Sequence, residues 1–168
     1  MSFIARLQLV EPVETWPAME AAAEERFLDG LALASGTENR TTGAIYLFGY
    51  TAEMLLKVAY FRFTNVPRHE NLRGRRGALD KAQNHAAWHG RNLHDLVGWM
   101  NLLLDERAAQ NRALDIPTAG LLQLHVRVLD GHWREVLRYK QTPATITEMD
   151  EVYTSVDWLR TNYDQIGS

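Results

Sequence analysis

The sequence predicts an all-α protein, a bundle of five or six helices in an up-and-down arrangement. Apolar residues recur at three- and four-residue spacing through most of the chain, and helix-capping residues, Gly or Pro bound these runs. No convincing alternating run of the kind that marks a β-strand lies between turn signals. A length of 168 residues suits one domain with a core of its own, so we expect a single helical domain over 1–168.

The first predicted helix follows Thr15, a preferred N-cap, and carries Pro17 in its first turn, where a missing N–H costs nothing. Gly36 ends it. One face carries the apolar positions of this helix, Met19, Ala23, Phe27, Leu31 and Ala34. Residues 1–14 are a mixed stretch broken by Pro12, and the sequence leaves open whether they are loosely ordered.

The central helix is predicted to contain the stretch Gly43–Phe63. We expect it to begin between Asn39 and Thr42 and to end before Pro67. Apolar residues surround almost every turn of this stretch, as expected of a helix with neighbours on several sides. Two charged residues interrupt the apolar run, so we do not expect it to span a membrane.

Those two charges are Glu53 and Lys57, one helical turn apart and in the favourable order for an ion pair. In a mostly buried helix each ion would be costly to bury alone. We therefore predict a buried structural pair.

The next two helices are predicted from a shorter pattern. One runs from Leu79 to Trp88 and ends at Gly90, and the following one is capped by Asn92 with Asp95 in its first turn. This second helix ends near Asn111, and its buried stripe is Leu93, Leu96, Val97, Met100, Leu103 and Leu104.

Two further helices complete the bundle, with a third short helix between them left open over HWREVLRYKQ. Asp115 and Pro117 open the first and Gly131 ends it, while Thr145 and Glu148 have the spacing of a capping box before the second. The predicted inward positions of the first are Leu121, Leu124 and Val128, together with Leu122 and Leu129. Those of the last helix are Met149, Val152, Val156, Leu159 and Tyr163.

Composition narrows the function classes. The chain has no cysteine, so it has no disulfide or thiolate metal site, and no signal segment is visible, which together favour a cytoplasmic protein. A net charge of −3 argues against coating nucleic acid by bulk electrostatics, so any such contact needs a local basic patch. Phosphate loops, dinucleotide fingerprints, nucleophile elbows and helical His-Glu-x-x-His motifs are absent from the sequence.

The central helix also carries a family resemblance. Tyr46, Gly49-Tyr50, Glu53 and Leu56-Lys57 resemble the aromatic-Gly-Tyr-x-x-Glu-x-x-Leu-Lys signature of HEPN-domain proteins. The stretch 90–96, GRNLHDL, is similar to the G-H-x-L-x-x-L element of many members, and Trp133 to Tyr139 resembles a third element. The resemblance implies a helical bundle, usually a dimer, that acts in RNA cleavage, nucleotide binding or partner regulation.

Ribonucleases of that family use an arginine followed four to six residues later by a histidine. Arg127 and His132 have this spacing and are the first candidate catalytic pair, although no polar residue follows the arginine. Arg91 and His94 are the second choice, since Asn92 is polar but the histidine comes too early. In such a site the histidine would move protons and the arginine would stabilise charge on the phosphate.

Arginines outside these pairs form the predicted nucleic-acid or nucleotide contacts. The candidates in the loop after the central helix are Arg68, Arg73, Arg75 and Arg76, and Arg138 stands beside Tyr139, a combination that can stack on bases. A solvated loop remains the alternative for the first four. His85 and His89 could share a helix face, but Gly90 separates them from His94, so we expect no metal site and no cofactor.

Two hypotheses for function follow. The first is a HEPN-like module that binds RNA, a nucleotide or a protein partner such as a nucleotidyltransferase, in a toxin-antitoxin or defence context. The second is a metal-independent endoribonuclease with a composite Arg/His site at a dimer interface. Both hypotheses include a homodimer.

Overall fold

The structure, a computed structural model, describes residues 14–36, 40–73, 77–134, 137 and 143–168. These residues form six helices and no strand, which confirms the predicted all-α bundle. The helices are α1 (Trp16–Ser35), α2 (Thr41–Phe63), α3 (Ala78–Gln83), α4 (Leu96–Ala109), α5 (Ile116–His132) and α6 (Ile146–Ile166).

Short polar residues define several helix ends as the sequence predicts. Thr15 caps α1 and Asp115 caps α5, and each side chain accepts a hydrogen bond from a first-turn N–H. Thr145 and Glu148 form a complete capping box at the start of α6. Asn65 follows the end of α2 with a φ of 56°. Asparagine tolerates this left-handed region better than most residues do.

Two boundaries between α3 and α4 differ from the prediction. Helix α3 ends at Gln83 rather than Trp88, and the Asn84 carboxamide donates to the carbonyl and the carboxylate of Asp80 in its place. Helix α4 is capped by Asp95, which accepts from the Gly98 N–H, whereas Asn92 accepts from the His94 N–H in the preceding turn. The side chains of Asn and Asp compete with the helix for backbone donors, and this competition moves both boundaries.

The inward face of α5 was predicted correctly for Leu122 and Leu129 but wrongly for Leu121 and Leu124. Leu122, Val126 and Leu129 are fully buried, whereas Leu121 and Leu124 are exposed and Val128 is half-buried. Helix α5 packs mainly against α4 and α6, so it buries only one narrow stripe of apolar residues, at positions i, i+4 and i+7. The helix also continues through Gly131 to His132. The short helix expected over HWREVLRYKQ lies largely outside the described residues, as do residues 1–13.

Helix α2 lies at the centre and contacts α1, α4, α5 and α6. It is antiparallel to α1, since the Trp16 indole donates to the Val66 carbonyl, and parallel to α6, since Arg62 pairs with Asp164 near the end of both helices. None of the helices in the described part of the chain is both long and apolar enough to cross a membrane.

Helix α4 also runs in the direction of α2, so the bundle contains one crossover within its up-and-down order. The described residues between α2 and α4 carry the chain back along α2, since His94 contacts Glu53 in the middle of α2 and Arg107, near the end of α4, lies over Phe63 at the end of α2. The crossover ends beside the middle of α2, where His94 meets Glu53.

Two glycines allow close approaches around that point. A Cβ at Gly49 of α2 would lie 1.9 Å from the Trp133 ring, and a Cβ at Gly98 of α4 would lie 2.6 Å from the Gly90 Cα. The first contact seats the end of α5 against α2, and the second seats the end of the crossover against α4. Both segments carry residues of the candidate site described below.

Gly49→Ala is expected to lower the free energy of unfolding by about 1–3 kcal/mol, because the added methyl group overlaps a buried indole. Chemical denaturation followed by circular dichroism measures the change.

Gly120→Ala is the matched control, since a Cβ at this α5 position meets nothing within 4 Å. It is expected to stabilise by about 0.5–1 kcal/mol through higher helix propensity. Equal effects of the two substitutions would contradict the close packing of Trp133 on α2.

Candidate functional site

A buried ion pair forms the inner part of the candidate site. Glu53 and Lys57 of α2 are only 4% and 6% exposed, and the Lys57 Nζ lies 2.5 Å from the Glu53 Oε1. The Lys57 ammonium also lies 5.5 Å from the centre of the Trp99 ring, a favourable cation–π distance. The pair therefore also has a partner on α4, which reduces the cost of burying its charges.

His94 connects this buried pair to the surface. Its Nδ1 lies 3.0 Å from the Glu53 Oε2, and its side chain is 43% exposed. An ionised carboxylate only accepts hydrogen bonds, so Nδ1 is the donor and Nε2 of the neutral imidazole carries the free lone pair. Glu53 thus fixes the tautomer of a histidine that solvent can reach.

Arg91 lies at the outer edge of the same segment. Its side-chain Nε and backbone N–H donate to one carboxylate oxygen of Asp95, at 2.8 and 2.9 Å, while the Gly98 N–H donates to the other. Burial would raise the pKa of Asp95, but these hydrogen bonds and the Arg91 charge outweigh it and hold that pKa below its usual range. Asp95 is therefore an ionised anchor for Arg91.

Asp130, in the last turn of α5, joins Arg91 to a second arginine. Its Oδ1 accepts from Arg91 at 3.2 Å and from Arg134 at 2.8 Å, and its Oδ2 accepts from Arg134 at 3.0 Å. The neighbouring Trp133 is fully buried, and its indole donates to the Tyr46 carbonyl of α2 at 3.1 Å. The tryptophan thereby holds the arginine–aspartate group against the central helix.

We call these residues the rim cluster. Its members are Glu53, Lys57, Arg91, His94, Asp95, Asp130 and Arg134. The three carboxylates lie inside, the most exposed of them 19% accessible, whereas the side chains of Arg91 and Arg134 are 60% and 39% exposed. The surface of the cluster therefore presents two guanidinium groups and an imidazole to solvent, an arrangement that attracts anions.

The three stretches that resemble HEPN elements meet in this cluster. Glu53 belongs to the central-helix stretch, His94 to the stretch 90–96, and Arg134 to the third. Asp130 and Arg134 were not among the predicted site residues. Their i, i+4 spacing at a helix end is a signal for an ion pair, but it does not reveal that Arg91 joins them.

The first-choice pair, Arg127 and His132, is not brought together within the chain. Five residues of helix turn by roughly 140° beyond one full turn, so the two side chains leave α5 in different directions. His132 contacts Glu151 of α6, with 3.1 Å between its Nε2 and the Oε2, and Arg127 is exposed. The second-choice residues, Arg91 and His94, both lie in the rim cluster.

Of the loop arginines, Arg68 and Arg73 are described, and both lie beyond the C-terminal end of α2, away from the rim cluster beside its middle. Arg68 stacks over Trp16 at 4.9 Å and lines a cleft of about 380 Å³ between α1, α2 and α6, and Arg73 pairs with Glu14. Arg75, Arg76 and Arg138 lie outside the described residues.

The described histidines and acids do not assemble into a metal site. In the described ranges no group of three or more His, Asp or Glu side chains is placed to hold a metal ion. His85 contacts Glu106, with 2.9 Å between its Nε2 and the Oε1, and His94 contacts Glu53.

No family model, curated protein or solved structure matches this chain. The HEPN resemblance accordingly stays a prediction from the sequence.

Lys57→Met is expected to lower the free energy of unfolding by about 3–5 kcal/mol, because it leaves the Glu53 carboxylate buried beside a single remaining partner, His94. Glu53→Gln combined with Lys57→Met should cost much less, since no buried charge is left. Urea denaturation at neutral pH measures both.

Lys81→Met is the control for loss of a lysine, as Lys81 is 67% exposed and pairs with Glu70 at 3.3 Å. Its effect should stay within about 0.5 kcal/mol. An equally small effect of Lys57→Met would show that the Glu53–Lys57 pair is not buried in solution.

Proposed function

We propose that this chain is a HEPN-like helical module that binds RNA through phosphate groups at the rim cluster. The observation that supports the proposal is the shared carboxylate of Asp130, which gathers the exposed guanidinium groups of Arg91 and Arg134. Guanidinium groups bind phosphate oxygens through paired N–H bonds. Because the net charge is −3, such a local group of cations is the form that RNA binding requires here.

The proposed context is a toxin-antitoxin or defence system, as the family resemblance implies, with the protein in the cytoplasm as a homodimer. The exposed Leu121 and Leu124 of α5 support a partner surface, because apolar side chains at helical spacing are otherwise buried. A nucleotidyltransferase-type partner or a free nucleotide remains the alternative ligand within this proposal.

Replacing both arginines, Arg91→Gln with Arg134→Gln, is expected to weaken binding of single-stranded RNA by roughly tenfold or more. It should also lower the slope of log affinity against log salt by about 1.4, because each lost phosphate contact accounts for about 0.7 on single strands. Fluorescence anisotropy with a labelled RNA over a salt series measures both quantities.

Arg26→Gln is the control, since Arg26 is an exposed arginine of α1 that pairs with Asp29. It removes one positive charge far from the rim cluster and should change neither quantity appreciably. An equal loss of RNA affinity in the control and the double variant would show that only the overall charge matters. This result would contradict a site at the rim cluster.

A metal-independent endoribonuclease is the second candidate, and the Glu53–His94 contact favours it. In this reaction Nε2 of His94 takes the proton of a ribose 2′-hydroxyl, whose oxygen then attacks the adjacent phosphorus. The bond to the 5′-oxygen of the next nucleotide breaks, and that oxygen takes up a proton from an acid. The products are a 2′,3′-cyclic phosphate and a 5′-hydroxyl end, and an arginine stabilises the charge on the phosphate.

His94→Ala is expected to reduce cleavage of labelled RNA by about 10²–10⁴-fold, the usual contribution of acid–base catalysis, while RNA affinity falls far less because Arg91 and Arg134 remain. A chelator in the reaction should have no effect. Gel analysis of cleavage rates under single-turnover conditions provides the measurement.

His85→Ala is the matched control, because His85 also pairs with a glutamate but lies outside the cluster. Cleavage that survives His94→Ala and is lost in His132→Ala would move the site to Arg127 and His132. An unmodified protein that cuts no RNA would reject the nuclease and leave the binding module in place.

A further inference from the structure

The guanidinium groups of the rim cluster already bind an anion of the protein itself, the carboxylate of Asp130. Both carboxylate oxygens of Asp130 are in use, Oδ1 by Arg91 and Arg134 together and Oδ2 by Arg134 alone. Asp130 is largely covered, whereas the arginines that hold it are more exposed. The chain therefore carries its own occupant in the place where a phosphate would bind.

We propose that Asp130 makes this site selective for phosphate monoesters, such as the terminal phosphate of an RNA chain, over internal phosphodiesters. The inference rests on the proposed function and names the part of the RNA that the site takes. Asp130 acts as a specificity-determining residue, because any incoming phosphate must displace or share its contacts.

An internal competitor has a large advantage over a ligand of equal charge. Asp130 lies in the last turn of α5 and Arg134 lies two residues beyond its end, so their contact forms without loss of translational freedom. Linked groups of this kind meet at effective concentrations of about millimolar or above. A ligand therefore has to offer more charge or more acceptor atoms than a carboxylate does.

A phosphodiester does not meet that requirement. It carries one negative charge and two free oxygens, the same as the carboxylate of Asp130. A phosphate monoester carries about −1.5 to −2 charges at neutral pH and has three acceptor oxygens. It can hold both guanidinium groups and still accept from a further donor.

The test compares two RNAs of one sequence, with a 5′-phosphate or a 5′-hydroxyl end and a dye at the 3′ end. The unmodified protein should bind the 5′-phosphate RNA roughly tenfold more tightly, as expected for charge-assisted contacts to the additional charge. Asp130→Asn should bind the 5′-hydroxyl RNA more tightly than the unmodified protein and lose most of the preference. Asp29→Asn, which removes a surface carboxylate from Arg26, should retain it.

A second measurement needs no RNA. Inorganic phosphate should raise the melting temperature of the unmodified protein, whereas the diester dimethyl phosphate at the same concentration should not. Asp130→Asn should respond to both anions, and the Arg91→Gln/Arg134→Gln variant to neither. Melting curves without added anion show in the same experiment whether each variant is folded.

The two proposals fail in different ways. Equal binding of both RNAs by the unmodified protein, with binding lost in the double arginine variant, would overturn the selectivity and leave RNA binding at the rim cluster intact. Binding that is insensitive to the double arginine variant would overturn the site itself. If neither RNA binds, the proposed function is wrong. In that case the melting experiment tests the selectivity by itself, and equal shifts in melting temperature with inorganic phosphate and dimethyl phosphate would overturn it.

Discussion

The buried carboxylate of Glu53 is the constraint on which the rest of the candidate site depends. A carboxylate in the centre of a helical bundle is stable only with good partners, and here Lys57 and His94 occupy its two oxygens. The second partner comes from the end of a long crossover. The chain between α2 and α4 must therefore return to the middle of α2, and in doing so it brings Arg91 to the surface beside His94.

The packing around Glu53 buries the carboxylates of the rim cluster and leaves the charged ends of its arginines at the surface. Gly49 and Gly98 let Trp133 and the crossover approach α2 and α4 closely, and the carboxylates of Asp95 and Asp130 are then covered by the segments that they anchor. The arginine side chains are longer and keep their charged ends in solvent. Negative charge inside and positive charge outside thus result from side-chain length as much as from sequence order.

The parts of the structure that depend on local signals could be predicted from the sequence, and those that depend on distant contacts could not. Periodicity and caps located α1, α2 and α6, because capping groups such as Thr145 and Glu148 act within one turn. The start of α4 was misplaced because Asn92 and Asp95 are both good caps, and the contact of Asp95 with Arg91 favours the later one. The Arg91–Asp130 contact joins the segment before α4 to the last turn of α5, and no local pattern encodes their relative position.

Phosphate binding and RNA cleavage differ in the groups that a single chain would have to supply. Binding of a phosphate needs only the guanidinium groups of Arg91 and Arg134, which a single chain brings together. Cleavage of RNA needs a base for the 2′-hydroxyl and an acid for the leaving oxygen, and imidazole is the side chain that exchanges protons near neutral pH. The rim cluster as described contains one histidine, so a second proton-transfer group has to come from elsewhere. In the proposed nuclease this group comes from a second protomer, so the proposal of cleavage requires a dimer, whereas the proposal of phosphate binding does not.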